Sequence, residues 1–196
     1  MRLARAVLLL ALSLTITTLP LQAQQDHPWL IRARGIVIAP DASSEPAGLD
    51  VKADAVAEID ITRTLNRYLS LELVLATASQ EVKSGSTSLG SVNHLPPTLL
   101  LQLHPVEHGA VQPYVGAGGN LTVFYNKSGA LENFDLDTSV NWAVQAGADF
   151  PISERALFNI DGKYVRITTD VKSGGTTAFD LKINPFVIGA GFGYRF

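Results

Sequence analysis

Alternation of apolar and polar residues, repeated along nearly the whole chain, is the feature that most restricts its fold. In "LSLELVLAT" the leucines at positions 69, 71, 73 and 75 share one face, and in "FVIGAGFGYRF" glycines alternate with large apolar residues. A repeat of two residues over such lengths is typical of a β-strand and does not suit an amphipathic helix. The sequence therefore predicts an all-β chain.

Connections between the alternating segments are by turns long and short. The predicted strands are Trp29–Ala39, Val56–Leu65, Leu69–Ala78, Thr98–His104, Val111–Phe124, Ser139–Phe150, Ala156–Ile167 and Pro185–Phe196. Strands of about 9–11 residues cross a bilayer when they are tilted. An even number of strands, with tight turns at one end and long loops at the other, predicts an eight-stranded antiparallel up-and-down transmembrane β-barrel. Both termini then lie at the short-turn, periplasmic end.

The first 23 residues have the features of a secretory signal peptide. "MRLAR" is basic, "AVLLLALSL" is apolar, and "LQA" ends in a small residue that suits signal peptidase. We expect cleavage after Ala23, which leaves residues 24–196 as the barrel. Without Arg2 and Arg5, the 15 basic residues fall to 13 against 18 acidic ones, a formal charge of −5. A mildly acidic chain without a basic patch is not expected to bind nucleic acid.

The polar face of the strands is predicted to line the barrel interior. Glycine and alanine are frequent on that face and suit the concave side of a narrow barrel, while the aromatic residues near strand ends suit the membrane interfaces. Buried charges must be paired, which predicts a lumen ladder of compensating ion pairs. Its predicted members are Arg32, Arg34, Glu58, Asp60, Glu72, Asp149, Asp161, Lys163 and Arg195.

Catalytic and metal sites receive little support from the sequence. Two of the ladder carboxylates could form an acid–base pair, but mutual charge compensation is the preferred interpretation. The chain has no cysteine, and His104 and His108 alone are too few ligands for a zinc site. "GAGG" and "GAGFG" lie inside alternating strands and do not open a helix as phosphate-binding loops do. We therefore expect a protein that is not an enzyme and has no cofactor or metal.

Several stretches resemble the OmpW family of small outer-membrane β-barrels. These are "WLIRARGIVIAPD", "LELVLAT", "LGSVNHLPPTLLLQLHP", "QPYVGAGGNLTVFY", "QAGADF" and "VIGAGFGYRF", which span residues 29–196. The resemblance implies an eight-stranded barrel in the outer membrane of a Gram-negative bacterium. It also implies passage of small hydrophobic molecules through a narrow, partly apolar lumen, with lateral release into the membrane.

Residues for such a passage can be placed on the predicted strands. The inward apolar candidates near the outer end are Ile36, Ile38, Val74 and Val187. Pro96 and Pro97 cannot donate to a sheet, so the backbone ladder should be interrupted there. The interruption at His94, Leu95, Pro96 and Pro97 is either a lateral opening or the ordinary end of a long loop, and the loop end is the preferred reading.

The expected partners follow from the same resemblance. They are outer-membrane lipid and lipopolysaccharide, small hydrophobic solutes, and the barrel insertion machinery, which would read the terminal signal Phe192, Tyr194 and Phe196. The alternative function is a structural or surface-interaction barrel with a closed lumen, which acts through its extracellular loops.

Overall fold

The computed structural model describes residues 27–39, 49–51, 54–84, 87–106, 108–126, 128–129, 135–136, 138–173, 176–182 and 184–196. The signal peptide predicted over residues 1–23 lies outside the described residues. The strands are β1 (Trp29–Ala39), β2 (Leu49–Val51), β3 (Asp54–Thr64), β4 (Leu69–Ala76), β5 (Ala78–Ser84), β6 (Thr87–Leu95), β7 (Thr98–Leu103), β8 (Gln112–Tyr125), β9 (Asp135–Leu136), β10 (Ser139–Pro151), β11 (Ala156–Val165), β12 (Thr168–Ser173), β13 (Thr176–Lys182) and β14 (Phe186–Arg195). No helix in the described part of the chain has the length and apolar character needed to span a membrane.

Eight strands form a closed antiparallel barrel, which confirms the predicted fold class. The wall runs β1, β3, β4, β7, β8, β10, β11 and β14, and it closes because β14 also pairs with β1. We call the end that holds the start of β1, the end of β14 and the short connections from β3 to β4, from β7 to β8 and from β10 to β11 the turn end. The opposite end is the loop end.

Burial alternates along the wall and confirms that the polar face is the inner one. In β1, Arg32 and Arg34 are buried, whereas Ile31 and Val37 are 39% and 51% exposed on the outer face. An outward apolar face and a polar inner face reverse the usual arrangement of a soluble barrel and are what a lipid-exposed barrel requires. The alternation in sequence therefore separates a lipid-facing surface from a polar interior.

All four segments that the sequence predicts as long loops contain strands: β2 and β9 are short, and the other two segments form hairpins. β5 pairs with β6 and continues the wall beyond β4 and β7, and β12 pairs with β13 in a separate hairpin at the loop end. Those segments are rich in Ser, Thr and Gly, and their apolar alternation is weak, so the sequence predicts loops there. The prediction that Pro96 and Pro97 end a loop is also wrong, because β6 reaches Leu95 immediately before them.

Candidate functional site

Apolar residues line part of the interior in the loop-end half of the barrel, beside the buried polar residues Thr98, Asn120, Thr122 and Ser139. The apolar residues form two buried clusters, and together we call them the upper lumen. The first cluster contains Ile36, Ile38 and Val187, with Val56 and Ala76 packed against it. The second contains Val74, Leu100, Ala143, Val165 and Ile167. The structure thus places all four predicted passage residues in this region.

Below the upper lumen, a network centred on Arg32 fills the barrel. Its guanidinium lies 2.9 Å from Asp60, 2.7 Å from Glu72 and 3.3 Å from Asp149, and it also donates to the Thr62 hydroxyl at 2.9 Å. The Arg32 side chain is fully buried. One cation therefore binds three carboxylates that come from three different strands.

Arg34 and Lys163 extend the network toward the other side of the barrel. Arg34 contacts Glu58 at 2.9 Å and Asp60 at 2.6 Å, and Lys163 contacts Glu58 at 2.9 Å and pairs with Asp161. Three cations thus face five carboxylates, an excess that neutral donors must offset. We call this charged layer the plug; it comprises Arg32, Arg34, Glu58, Asp60, Glu72, Asp149, Asp161 and Lys163.

Neutral side chains complete the plug, and the sequence pattern does not predict them. Gln102 donates to Glu72 at 2.9 Å, Tyr114 donates to Asp161 at 2.8 Å, and Asn159 donates to Asp149 at 2.7 Å. Gln145 also donates to Glu72. These neutral donors add hydrogen bonds to carboxylates that the cations already contact, so that the buried charge is more fully satisfied. A hydrophobic molecule that crossed this layer would have to break these bonds without replacing them.

Glycines on the facing strands make room for the plug. A Cβ at Gly193 would lie 2.8 Å from Cγ of Arg32, and a Cβ at Gly147 would collide with the Tyr114 hydroxyl. A narrow eight-stranded barrel has space for an inward Arg or Tyr only where the opposite position has no side chain. Gly193, on the inner face of β14, therefore leaves the space that Arg32 occupies.

A cavity of about 380 Å³ lies at the turn end, beneath the plug. Arg195, a predicted ladder residue, lines this cavity and donates to Gln112 at 2.9 Å. His104, just past the end of β7, also lines it, and burial lowers the pKa of its imidazole from the ordinary value for histidine. Among the described residues, no three His, Cys, Asp or Glu side chains are grouped so as to hold a metal ion.

The backbone ladder is interrupted beside the upper lumen. Val74 pairs with Thr98 and Ala78 pairs with His94, in the same register, but no pairs are formed between residues 75–77 and 95–97 within the described chain. We call these two facing segments the proline break. Leu95 is 37% exposed, and both prolines are half-buried. The break therefore lies in the part of the wall that separates the apolar interior from the lipid-facing surface.

The two prolines face different neighbours. Pro97 accepts a hydrogen bond from the Leu121 amide at 3.0 Å, so its backbone edge points toward β8. Edges alternate along a strand, so Pro96 points toward Ala76, where its missing N–H removes a ladder bond. The Pro96 carbonyl instead accepts from the Thr98 hydroxyl at 3.0 Å and from the Asn120 amide at 3.3 Å.

The structure also places His94 and the three aromatic residues of the predicted insertion signal. His94 contributes backbone pairs to Ala78 and Phe124 on its two sides. The C-terminal aromatic residues Phe192, Tyr194 and Phe196 are 65%, 50% and 49% exposed on the outer face. They are available for lipid contact in the folded barrel.

The chain is similar to known outer-membrane proteins both in sequence and in structure. The sequence profile of the OmpW family matches residues 28–196. An outer-membrane protein of Sinorhizobium fredii, y4mB, is 34% identical over 86% of this chain and 80% of its own length. The crystal structure of the outer membrane protein OprG from Pseudomonas aeruginosa superposes with a TM-score of 0.66 at 28% identity, over 86% of this chain and 95% of OprG.

A more distant relative carries a name that refers to a metabolic process. The dibenzothiophene metabolism operon protein PahQ of Pseudomonas aeruginosa is 24% identical, over 74% of this chain and 76% of its own length.

Proposed function

Because the chain belongs to the OmpW family and is an integral outer-membrane β-barrel of a Gram-negative bacterium, we propose that it admits small hydrophobic molecules and releases them sideways into the membrane. A solute enters the upper lumen from the loop end, meets the plug, and leaves through the proline break. The barrel acts passively and needs no cofactor.

One observation carries this proposal. The plug closes the apolar upper lumen from below and forms its charged floor, and the side wall beside the upper lumen lacks backbone pairs at the proline break. The floor is formed by the fully buried Arg32, Asp60 and Glu72. The side wall lacks backbone pairs at residues 75–77 and 95–97. An apolar solute loses nothing by leaving an apolar pocket for lipid, whereas crossing the plug breaks several buried ion pairs and hydrogen bonds without replacing them. The lateral route therefore has the lower barrier.

The proposed route also fixes the orientation of the barrel in the outer membrane and the partners it meets there. The loop end faces outward into lipopolysaccharide, and the turn end faces the periplasm. Residues 1–23 act as a cleaved export signal, and Phe192, Tyr194 and Phe196 form the signal for the insertion machinery. The solute class is apolar and small, which agrees with the dibenzothiophene operon in the name of the relative PahQ. Through the upper lumen, such molecules reach the membrane without crossing the lipopolysaccharide layer.

Charges placed in the upper lumen should stop uptake. The double substitution Ile38→Asp and Val74→Asp puts two carboxylates at sites that are 6% and 3% exposed. We expect uptake of the fluorescent hydrophobe N-phenylnaphthylamine to fall at least roughly tenfold, since burying an unpaired charge costs several kcal/mol. The assay uses the refolded barrel in vesicles whose outer leaflet is lipopolysaccharide, beside an unrelated eight-stranded barrel.

The matched control keeps the lumen apolar. Ile38→Leu with Val74→Ile changes shape without adding charge and should retain most of the uptake. If the wild-type barrel admits the probe no faster than the unrelated barrel, the passage function is wrong and the function moves to the loops.

Restoring one backbone donor should narrow the side opening. Pro96→Ala supplies an N–H that points toward Ala76, so the ladder can close and uptake should fall by roughly fivefold, the value of one net hydrogen bond. Pro97→Ala supplies an N–H toward β8 and should change uptake by less than twofold. Equal effects of the two substitutions in the same uptake assay would show that the side facing β4 is not the exit.

A further inference from the structure

A hydrogen bond on the lipid-facing surface spans the proline break. The hydroxyls of Thr77 and Tyr125 lie 2.7 Å apart, and either can donate. Thr77 follows β4, whereas Tyr125 is the last residue of β8. These two strands flank the segment of β6, Pro96, Pro97 and β7 on opposite sides. We call this contact the Thr77–Tyr125 bridge.

The register places the bridge over the outside of the break. Tyr125 pairs with Asn93, and the shared register of β4 and β5 sets Thr77 opposite Leu95. The Tyr125 side chain must therefore cross the outer face of β6 to reach Thr77. Leu95 and Tyr125 are 37% and 38% exposed on that face. A solute leaving between β4 and the proline segment passes beneath this side chain.

The inner side of the break is held differently. The Asn120 amide donates to the Thr98 hydroxyl at 2.8 Å and to the Pro96 carbonyl, so these bonds fasten the proline segment to β8. Neither bond reaches the β4 side. Among the described residues, the Thr77–Tyr125 bridge is the side-chain hydrogen bond that joins the end of β8 to the residue after β4 at the level of the break.

We propose that the Thr77–Tyr125 bridge holds the proline break closed and makes Tyr125 and Thr77 the residues that set the width of solute released. This inference rests on the proposed lateral passage. A hydroxyl–hydroxyl bond opens by rotation of two side chains, and the unpaired segments beneath it are then free to separate. A slim solute passes beneath the closed bridge, and a broad solute requires the bridge to open.

The test compares two probes of different width. Uptake of the rod-shaped diphenylhexatriene and of the disc-shaped perylene is measured in the vesicles described above. Tyr125→Phe keeps the ring and removes the hydroxyl; it should raise perylene uptake roughly fivefold and diphenylhexatriene uptake by less than twofold. Thr77→Val should have the same effect. The double variant should add nothing, because both substitutions remove one bond.

The matched control is Tyr164→Phe, which removes a hydroxyl from the outer face of β11, away from the break. It should leave the uptake of both probes unchanged. An increase equal to that of Tyr125→Phe would overturn the inference, because the effect would then belong to any tyrosine hydroxyl on the lipid-facing surface.

A second measurement reads the opening itself. The chain has no cysteine, so nitroxide labels at Leu75→Cys and Leu95→Cys report the distance across the break by electron paramagnetic resonance. Tyr125→Phe should broaden that distance distribution, and Tyr164→Phe should not. An unchanged distribution with unchanged probe selectivity overturns the bridge, while wild-type uptake above that of the unrelated barrel keeps the proposed function. A broadened distribution with wild-type uptake no faster than the unrelated barrel keeps the bridge as a closure and overturns the passage.

Discussion

Replacement of Arg32 by methionine is expected to lower the free energy of unfolding of the barrel by about 3–5 kcal/mol. The guanidinium is fully buried and binds Asp60, Glu72 and Asp149. Methionine has a similar length but leaves these carboxylates without their shared cation in a site that water does not reach. Breaking a buried ion pair from one side is costly for this reason, even where the intact pair adds little to stability.

The measurement is the midpoint of urea unfolding in lipid vesicles, followed by tryptophan fluorescence. Arg166→Met is the matched control because Arg166 is exposed at the loop end, and its midpoint should stay close to that of the wild type. Adding Glu72→Gln to Arg32→Met removes one of the stranded charges and should recover part of the loss. Equal midpoints for Arg32→Met and Arg166→Met would contradict the account of the plug.

Much of the fold could be predicted because period-two alternation is a local property of the chain. The eight wall segments, the inward face and the proline interruption all follow from single segments such as Leu69–Ala76. The hairpins of β5 with β6 and β12 with β13 were missed because their Ser, Thr and Gly residues suit loops as well as strands. Their pairing depends on the continuation of neighbouring strands, which a single segment does not contain.

The composition of the plug could be predicted only in part. Charged residues on the inner face were found because burial obliges them to pair. Tyr114 and Asn159 were missed, since a neutral polar residue on a strand carries no such requirement, and their partners lie 47 and 10 residues away along the chain. The Thr77–Tyr125 bridge depends on the relative register of three strands, for which the sequence has no local signal.

A second large effect on uptake is expected from a disulfide that closes the proposed lateral opening. Thr77→Cys with Leu95→Cys places two thiols on facing residues of the proline break, between the pairs Val74–Thr98 and Ala78–His94. The flanking pairs keep residues 77 and 95 opposite each other, and when the break closes their Cα atoms approach the separation of about 4.5–5.5 Å that directly opposite residues have, which suits a disulfide. The wild-type chain has no cysteine, so no other disulfide can form within it. Oxidation should join β4 to the proline segment and close the side wall.

A control disulfide separates closure of the break from a general stiffening of the barrel. Val37→Cys with Ala55→Cys lies across β1 and β3, which pair at this position and face outward. The same oxidation there leaves the proline break free, so uptake should not change. Each variant also serves as its own reference, since a reducing agent reopens the bond in the same vesicles.

The decisive measurement is the uptake of N-phenylnaphthylamine by one sample of the Thr77→Cys, Leu95→Cys barrel, first oxidised and then reduced. Lateral release predicts uptake close to that of the unrelated eight-stranded barrel while the disulfide is intact, and a rise of at least roughly tenfold on reduction, because covalent closure leaves the plug as the only other way out. Equal uptake in the oxidised and reduced states, with disulfide formation verified, would contradict the lateral route.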